Sequence, residues 1–168
     1  YHMDIIDRYN RNEFFTADSI HFDESQKFKT RGGRTVYGGG GIMPDIFMPL
    51  DTMGMSDYYN RVWDTNVLYR YTMEYTDRHR SAMDNITTLA ELDSLLNSSD
   101  LVADFVAYAE RNGVATNRRE LSVSYNTIRA QLRAYIGRNT PVGDAAFYYN
   151  IYPIDKVLQR AVTEIKKR

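Results

Sequence analysis

The pattern of hydrophobic and polar positions divides the chain near residue 52. Before this point, residues 27–30 and 34–37 alternate polar and apolar side chains, and Gly32-Gly33 stands between the two runs. Such alternation predicts β-strands, and glycines between two strands predict a hairpin turn. A further strand is predicted over residues 19–22, and a helix over about residues 1–14.

Beyond residue 52, apolar residues recur at the three- and four-residue spacing of amphipathic helices. Ser56 is a candidate N-cap, because its hydroxyl can accept a hydrogen bond from a free backbone N–H of the first turn. Thr88 and Glu91 have the spacing of a capping box. Gly113 predicts a helix end, since glycine readily adopts the left-handed conformation found there.

The helical runs predicted from this spacing fill most of the second region. One covers about residues 66–83, one begins at Ser99 or Asp100, one begins at Ser124, and further helical segments cover residues 141–149 and the stretch from Pro153 to the basic end. The sequence therefore predicts a predominantly helical α+β protein, with a few short strands followed by a C-terminal helical bundle. The predicted domains are residues 1–52 and 53–168.

Composition and charge narrow the classes of function. The chain has 168 residues, of which 43% are hydrophobic, a formal net charge of -1 and no cysteine. A near-neutral charge disfavours a dedicated nucleic-acid surface, and no apolar run reaches the roughly 20 residues of a membrane-spanning helix. The first fifty residues hold too few strands for a self-sufficient sheet, so we expect them to belong to a larger one.

The four glycines Gly38 to Gly41 do not fit a nucleotide-binding loop. A P-loop needs a lysine directly after its last glycine, whereas the next lysine is Lys156. The dinucleotide-binding pattern G-x-G-x-x-G fails as well, because Met43 or Pro44 stands where the third glycine should be. The run is interpreted as a loop that needs glycine's backbone freedom.

Catalytic and metal-binding patterns are also missing. The sequence contains no G-x-S-x-G or S-x-x-K motif, and its three histidines lack the spacing of zinc ligands. No catalytic residue, metal site or cofactor is predicted. The fourteen tyrosines include the cluster Tyr148, Tyr149 and Tyr152, which we interpret as helix packing or anchors for a partner protein; stacking on nucleobases is the less favoured alternative.

Residues 33–45 resemble a known signature. The matching positions are Gly33, Arg34, Tyr37, Gly38, Gly39, Gly40, Gly41, Ile42, Pro44 and Asp45. They resemble the G-R-x-x-x-G-G-G-x-x-x-P-D run that closes the catalytic core of carboxy-terminal processing (tail-specific) serine peptidases, the S41 family. Looser similarity extends to the region around Glu13 and into the helical region.

The resemblance implies a non-catalytic C-terminal part of a Ser-Lys endopeptidase that processes or degrades proteins in the bacterial cell envelope, in the periplasm. The family's serine and lysine segments and its PDZ domain are not in this sequence, so no catalytic residue is carried over. The implied partners are the remainder of the parent peptidase and the parent's protein substrates. The helices would serve in structure, oligomerisation or substrate access.

Two other interpretations stay open, a stand-alone helical protein–protein interaction module and, less favoured, a nucleic-acid binder. We also expect self-association. The apolar side chains of Ile42, Ile46, Phe47, Met48 and Leu50 would be uncovered without the rest of a peptidase core. A homodimer or strand exchange through residues 19–50 is therefore predicted.

Overall fold

The computed structural model describes residues 2–20, 22–38 and 44–167. The chain divides into two compact units, Tyr1–Asp51 and Thr52–Arg168, called unit 1 and unit 2 below. The described residues form a predominantly helical α+β fold with one two-stranded antiparallel sheet, so the predicted fold class is confirmed.

Among its described residues, unit 1 contains one α-helix, α1 (His2–Asn10), and one hairpin. Its strands are β1 (Lys27–Lys29) and β2 (Thr35–Tyr37), which pair antiparallel with Phe28 opposite Val36. The predicted hairpin is confirmed. Gly33 lies in the turn with a φ of +78°, which is a conformation that glycine adopts without steric cost.

Two expectations for unit 1 are wrong. Residues 19–22 were expected to form a strand, but Ser19 ends a 3₁₀ turn (Ala17–Ser19), and Ile20 and Phe22 lie outside any strand; His21 is outside the described residues. The N–H groups of Ser19 and Ile20 donate to carbonyls three residues earlier. Alternation predicts a strand only where a neighbouring strand takes up the backbone groups. Helix α1 also ends at Asn10 instead of near residue 14.

Unit 1 has almost no interior. Among its described residues only Glu13 is buried, at 4% exposure, whereas Phe28 is 58% exposed. The Glu13 carboxylate accepts hydrogen bonds from Nε of Arg8 at 2.9 Å and from Nε of Arg11 at 2.8 Å. Burial opposes ionisation, but the hydrogen bonds from Arg11 and Arg8 hold the pKa of Glu13 below its usual value. The buried centre of this unit is therefore an ion cluster, with no apolar core.

Unit 2 is a bundle around one long helix, α7, which packs against α2, α3, α6 and α8. A 3₁₀ turn, Tyr152–Ile154, joins α8 to α9. The helices are α2 (Asp57–Asp64), α3 (Val67–Arg78), α4 (Arg80–Met83), α5 (Leu89–Leu96), α6 (Leu101–Arg111), α7 (Arg118–Arg138), α8 (Asp144–Ile151) and α9 (Lys156–Ile165).

Local capping chemistry in unit 2 follows the sequence prediction. The Ser56 hydroxyl accepts from the Tyr59 N–H at 3.2 Å. Thr88 and Glu91 form both hydrogen bonds of a capping box. Asp100, one of the two candidates, caps α6 by accepting from the Ala103 N–H at 3.1 Å, and Gly113 follows α6 with a φ of +85°.

Two predicted helix boundaries in unit 2 are wrong. Helix α7 begins at Arg118, six residues before Ser124, because the Asn117 side chain accepts from the N–H groups of Arg119 and Glu120. Ser124 is instead buried within α7, where its hydroxyl donates to the Glu120 carbonyl at 3.0 Å. The run over residues 66–83 is broken at His79, whose Nδ1 hydrogen-bonds the Tyr75 carbonyl at 2.8 Å.

The core of unit 2 consists of apolar side chains from α2 to α8. Phe105 is fully buried, and its ring meets that of Tyr71 edge to face at 5.5 Å. Helices α7 and α8 approach closely at Gly137, where a Cβ atom would lie 2.9 Å from the Ala146 Cβ and 2.9 Å from Leu92 Cδ2. Burying an aromatic or leucine side chain stabilises the folded state by about 1.5–3 kcal/mol, so this core holds the helices of unit 2 together.

Candidate functional site

The residues of the glycine-rich signature lie on and after the hairpin of unit 1. Gly33 N–H donates to the Thr30 carbonyl at 2.9 Å, which closes the turn. The guanidinium of Arg34 forms an ion pair with the carboxylate of Asp45. The signature's arginine and aspartate, eleven positions apart, are thus brought together, and both side chains are exposed.

Tyr37 and Gly38 lie at the end of β2. The Tyr37 ring packs on Phe22 with centroids 4.6 Å apart, and its hydroxyl donates to Glu24 at 3.1 Å. Gly38 N–H donates to the Gln26 carbonyl at 2.9 Å, and a Cβ at this position would lie 3.0 Å from Gln26 Oε1. The same Cβ would lie 3.2 Å from Phe28 Cε2 in β1, so these two side chains would have to shift to admit a larger residue at 38.

The rest of the signature is less informative. Gly39, Gly40, Gly41 and Ile42 lie outside the described residues. Pro44 and Asp45 are exposed. The described part of the signature carries one ion pair and no nucleophile with a base, so its geometry fits a structural loop.

A cavity of about 850 Å³ in unit 2 lies beside α7 and is called the α7 groove. Four α7 residues at positions 126, 129, 130 and 133 share one helix face and form its floor. Asp93 from α5 and Asn97, which directly follows α5, line it as well. The remaining lining residues come from α8, the 3₁₀ turn and α9: Tyr148, Tyr149, Asn150, Tyr152, Pro153, Ile154, Leu158 and Val162.

Arg133 is the central charged residue of the groove, with a side chain only 8% exposed. Its Nε donates to Asn150 Oδ1 at 3.1 Å, one Nη donates to Asn97 Oδ1 at 3.0 Å, and the other Nη pairs with the Asp93 carboxylate. The arginine therefore ties α5 and α8 to α7. A guanidinium has five N–H donors, and these three contacts use three of them.

The other partners of this network are held in turn. Tyr149 donates its hydroxyl to the second carboxylate oxygen of Asp93 at 3.2 Å. The Asn150 amide donates to the Ala146 carbonyl at 2.9 Å, which fixes its oxygen toward Arg133. These bonds orient the guanidinium before any ligand arrives, which reduces the ordering cost of binding.

Arg129 lies one turn before Arg133 and has a different environment. It is exposed and, among the residues that the structure describes, has no ion pair and no side-chain hydrogen bond. The described residues that line the groove thus include two arginines and a single carboxylate, that of Asp93. Its charge is net positive within a protein whose formal charge is -1.

The wall of the groove opposite α7 is apolar, and the groove is partly open to solvent. Helix α9 has no fully buried residue, and its Leu158 and Val162, at i and i+4, face the groove. Tyr148, Tyr149 and Tyr152 stand exposed at the rim. Tyrosine and arginine are the residues enriched at the centres of protein interfaces, so this arrangement is suited to binding.

A smaller cavity of about 260 Å³ lies between α3 and α6, lined in part by Tyr71, Tyr75 and Asp104. Burial raises the pKa of both phenols, and the nearby Asp104 carboxylate adds to the effect by opposing a second negative charge. The Tyr75 ring stacks on His79 at 4.1 Å. Both phenols therefore stay protonated near neutral pH.

Ion and membrane features can be stated for the described part of the chain. No group of three or more His, Cys, Asp or Glu residues in ranges 2–20, 22–38 and 44–167 is arranged to hold a metal ion. In the same ranges no helix has the length and apolarity needed to cross a bilayer. All five lysines are exposed.

Sequence reasoning missed the Arg133 network. The available signal was an arginine flanked by Leu132, Ala134 and Ile136, in a stretch where the apolar period predicts burial. A buried arginine needs partners, but Asp93, Asn97 and Asn150 are brought near it only by tertiary packing. The tyrosine cluster 148–152, in contrast, was singled out and does lie at the groove.

Comparison with known proteins gives one match. No curated protein and no solved structure shows significant similarity to the chain. Residues 58–140 match the model of a family of unknown function, DUF8443. The matched segment begins in α2 and ends just after α7, and it includes Asp93, Asn97, Arg129 and Arg133, but not the α8 and α9 side of the groove.

Proposed function

We propose that the chain is the non-catalytic C-terminal part of a tail-specific serine peptidase of the S41 family. Unit 1 would complete an edge of the catalytic core, and unit 2 would be a helical domain that binds protein segments. The observation that carries this proposal is the exposure of apolar side chains in unit 1, next to a glycine-rich run that resembles the core-closing signature of this family.

The hairpin of unit 1 supports an origin in a larger sheet. Its strands have three residues each, and Phe28 in β1 and Leu50 after the signature are exposed. A lone two-stranded ribbon is marginally stable in water at best. Its unpaired edges and apolar face would be covered if neighbouring strands of a catalytic core lay against them.

The parent enzyme would supply all of the chemistry. In the proposed arrangement a serine and a lysine outside these 168 residues cleave the substrate, and the chain provides support, oligomerisation or control of substrate access. The proposed location is the bacterial cell envelope, in the periplasm. The partners are the parent's PDZ domain and catalytic core, its protein substrates and, through unit 1, a second copy.

A second candidate is a stand-alone helical protein–protein interaction module. It is favoured by the core of unit 2, which has Phe105 and Leu132 fully buried and needs no other chain to cover it. Under this alternative the α7 groove would be the functional surface, and the likeness to the peptidase signature would be local.

Immunoprecipitation distinguishes the two. Antibodies against residues 52–168 would be used on cells that produce the protein, and the antigen would be analysed by intact mass, peptide mapping and hydrolysis of an unstructured polypeptide such as casein. We expect an antigen larger than the 19.5 kDa of this chain, with serine and lysine segments like those of the family and with peptidase activity.

An antigen of 19.5 kDa without activity would contradict the peptidase proposal and support the stand-alone module. The purified 168-residue chain is the control and should not hydrolyse casein. Hydrolysis by that chain would contradict the non-catalytic role in either case.

A further inference from the structure

We propose that the α7 groove binds an acidic peptide segment, with an Asp or Glu carboxylate held by Arg129 and Arg133 and flanking apolar side chains placed against α9. This inference rests on the proposed binding role of unit 2 and does not depend on the peptidase assignment.

Charge favours an anionic ligand. Arg129 and Arg133 face the groove, and Asp93 supplies the only carboxylate among its described lining residues. Asp93 is already engaged on both oxygens, by Arg133 and by the Tyr149 hydroxyl. A ligand carboxylate would therefore compensate the positive charge that the groove leaves unbalanced.

The geometry of Arg133 favours a specific contact over general attraction. The guanidinium is more than nine-tenths buried and lines the cavity, and three protein oxygens fix its orientation. Three of its five N–H donors are used by these oxygens, which leaves two for a further acceptor. Arginine donors match a carboxylate geometrically, and Arg129, on the same face of α7, adds a second cation within one helical turn.

The apolar wall favours a peptide over an inorganic anion or a nucleic-acid strand. Leu158 and Val162 lie one turn apart on α9, and Tyr148 and Tyr152 project at the rim. A ligand that fills this space needs apolar side chains beside its carboxylate. A nucleic-acid strand needs several phosphate contacts, whereas Arg129 is the one unpaired cation among the described lining residues of the groove.

Peptide selection on the intact 168-residue chain tests the proposal. Twelve-residue random peptides, fused at their C-termini so that no terminal carboxylate is free, would be displayed and selected on the immobilised protein. Enriched sequences would be synthesised N-acetylated and C-amidated with a fluorescent label, and their affinity measured by fluorescence polarisation.

We expect enriched peptides to carry Asp or Glu next to Leu, Ile or Phe. Replacing that carboxylate by its amide should weaken binding at least tenfold, and so should Arg129→Glu. Arg119→Glu is the matched control, since Arg119 is exposed on the same helix and does not line the groove; it should change the affinity less than twofold. Arg129 is exposed and unpaired, so Arg129→Glu should leave the unfolding midpoint unchanged.

Three results would overturn the proposal. Either no peptide is enriched, or the enriched peptides lack a carboxylate, or the Arg129→Glu variant binds the enriched peptides as tightly as the unsubstituted protein does. Tighter binding of a fluorescent dT20 oligonucleotide than of any peptide would also overturn it and favour a nucleic-acid ligand. None of these results bears on the mass of the native antigen, so failure here and failure of the peptidase proposal remain distinguishable.

Discussion

Two phenylalanines show how differently the two units use apolar residues. Phe28 in the hairpin of unit 1 is 58% exposed, whereas Phe105 in α6 of unit 2 is fully buried. The hydrophobic pattern predicted both elements correctly. Burial requires more than a local element, because a face is covered only where another layer packs on it, and unit 1 has no second layer among its described residues.

The ion pairs of the two units repeat this contrast. Arg34 and Asp45 in unit 1 are both exposed, so water and salt screen their attraction. Arg133 in unit 2 is buried against Asp93, Asn97 and Asn150. An arginine thus makes an exposed ion pair in unit 1 and a buried set of contacts between helices in unit 2, and this difference can be tested.

The largest expected effect is a loss of stability of unit 2 at alkaline pH. Burial raises the pKa of the Tyr58, Tyr71 and Tyr75 phenols. The folded state therefore holds these protons more tightly than the unfolded state, where phenols titrate near pH 10. The stabilisation is fully present below about pH 10 and is lost as pH rises through the folded values, with a slope of up to about 1.4 kcal/mol per pH unit for each tyrosine.

Urea unfolding followed by circular dichroism at pH 8, 10 and 11 measures this effect. The midpoint should fall slightly between pH 8 and pH 10, where about half of the unfolded-state phenols ionise, and should fall clearly further at pH 11. Tyr71→Phe should reduce the fall, because it removes one titrating group. A midpoint that stays constant up to pH 11 would contradict the burial of these phenols.

Truncation of the two phenylalanines should give the next largest difference. Phe105→Ala leaves a cavity in a closed core and should cost about 3–5 kcal/mol. Phe28→Ala removes a mostly exposed ring and should change the free energy of unfolding by less than about 0.5 kcal/mol. Urea unfolding of both variants checks this, and equal losses would show that unit 1 has a core comparable to that of unit 2.

The arginine pair should differ by less. Arg133→Ala leaves the buried Asn150 oxygen without its donor and leaves the Asp93 carboxylate with the Tyr149 hydroxyl alone. Because the Asp93 side chain is 32% exposed, we expect a loss of about 2–3 kcal/mol, below the full cost of breaking a buried pair. Arg34→Ala should cost less than about 1 kcal/mol. Thermal unfolding of the two variants gives the comparison. If the Arg133→Ala protein were as stable as the unsubstituted protein, the contacts of Arg133 would not hold α5 and α8 to α7.

Helix and turn caps provide the smallest contrast. Thr88→Ala removes half of the capping box of α5 and should cost about 1 kcal/mol. Asp23→Ala removes the side-chain acceptor of a 3₁₀ turn in unit 1, Glu24–Gln26, which no core supports. We expect Asp23→Ala to lower the free energy of unfolding by less than about 0.5 kcal/mol, as measured by the same urea titration. A larger effect for Asp23→Ala than for Thr88→Ala would reverse the comparison.

Sequence reasoning succeeded where the cause was local. The hairpin around Gly32-Gly33 and the caps at Ser56 and Thr88 depend on a few neighbouring residues, and all are present in the structure. It failed where a distant partner or weak local chemistry decides the outcome. The start of α7 was not predicted because Asn117 caps a first turn that is rich in charged residues. The break at His79 was not predicted because no glycine or proline marks it in the sequence.

The candidate site shows the same division. The tyrosines at 148, 149 and 152 were expected to pack or to anchor a partner, and they stand at the rim of the α7 groove. The floor was not predicted, because Arg133 meets Asn97 and Asp93 across 36 and 40 positions of sequence. Four residues of the glycine-rich signature lie outside the described residues, so the peptidase assignment stays a prediction.

The most direct measurement of the difference between the units is the thermal unfolding of residues 52–168 produced alone, beside the 168-residue chain and residues 1–51. If unit 2 folds by its own core, residues 52–168 should stay helical and unfold cooperatively within about 4 °C of the whole chain, while residues 1–51 show no cooperative transition. An isolated unit 2 that is unfolded, or that melts more than about 10 °C lower, would contradict this account.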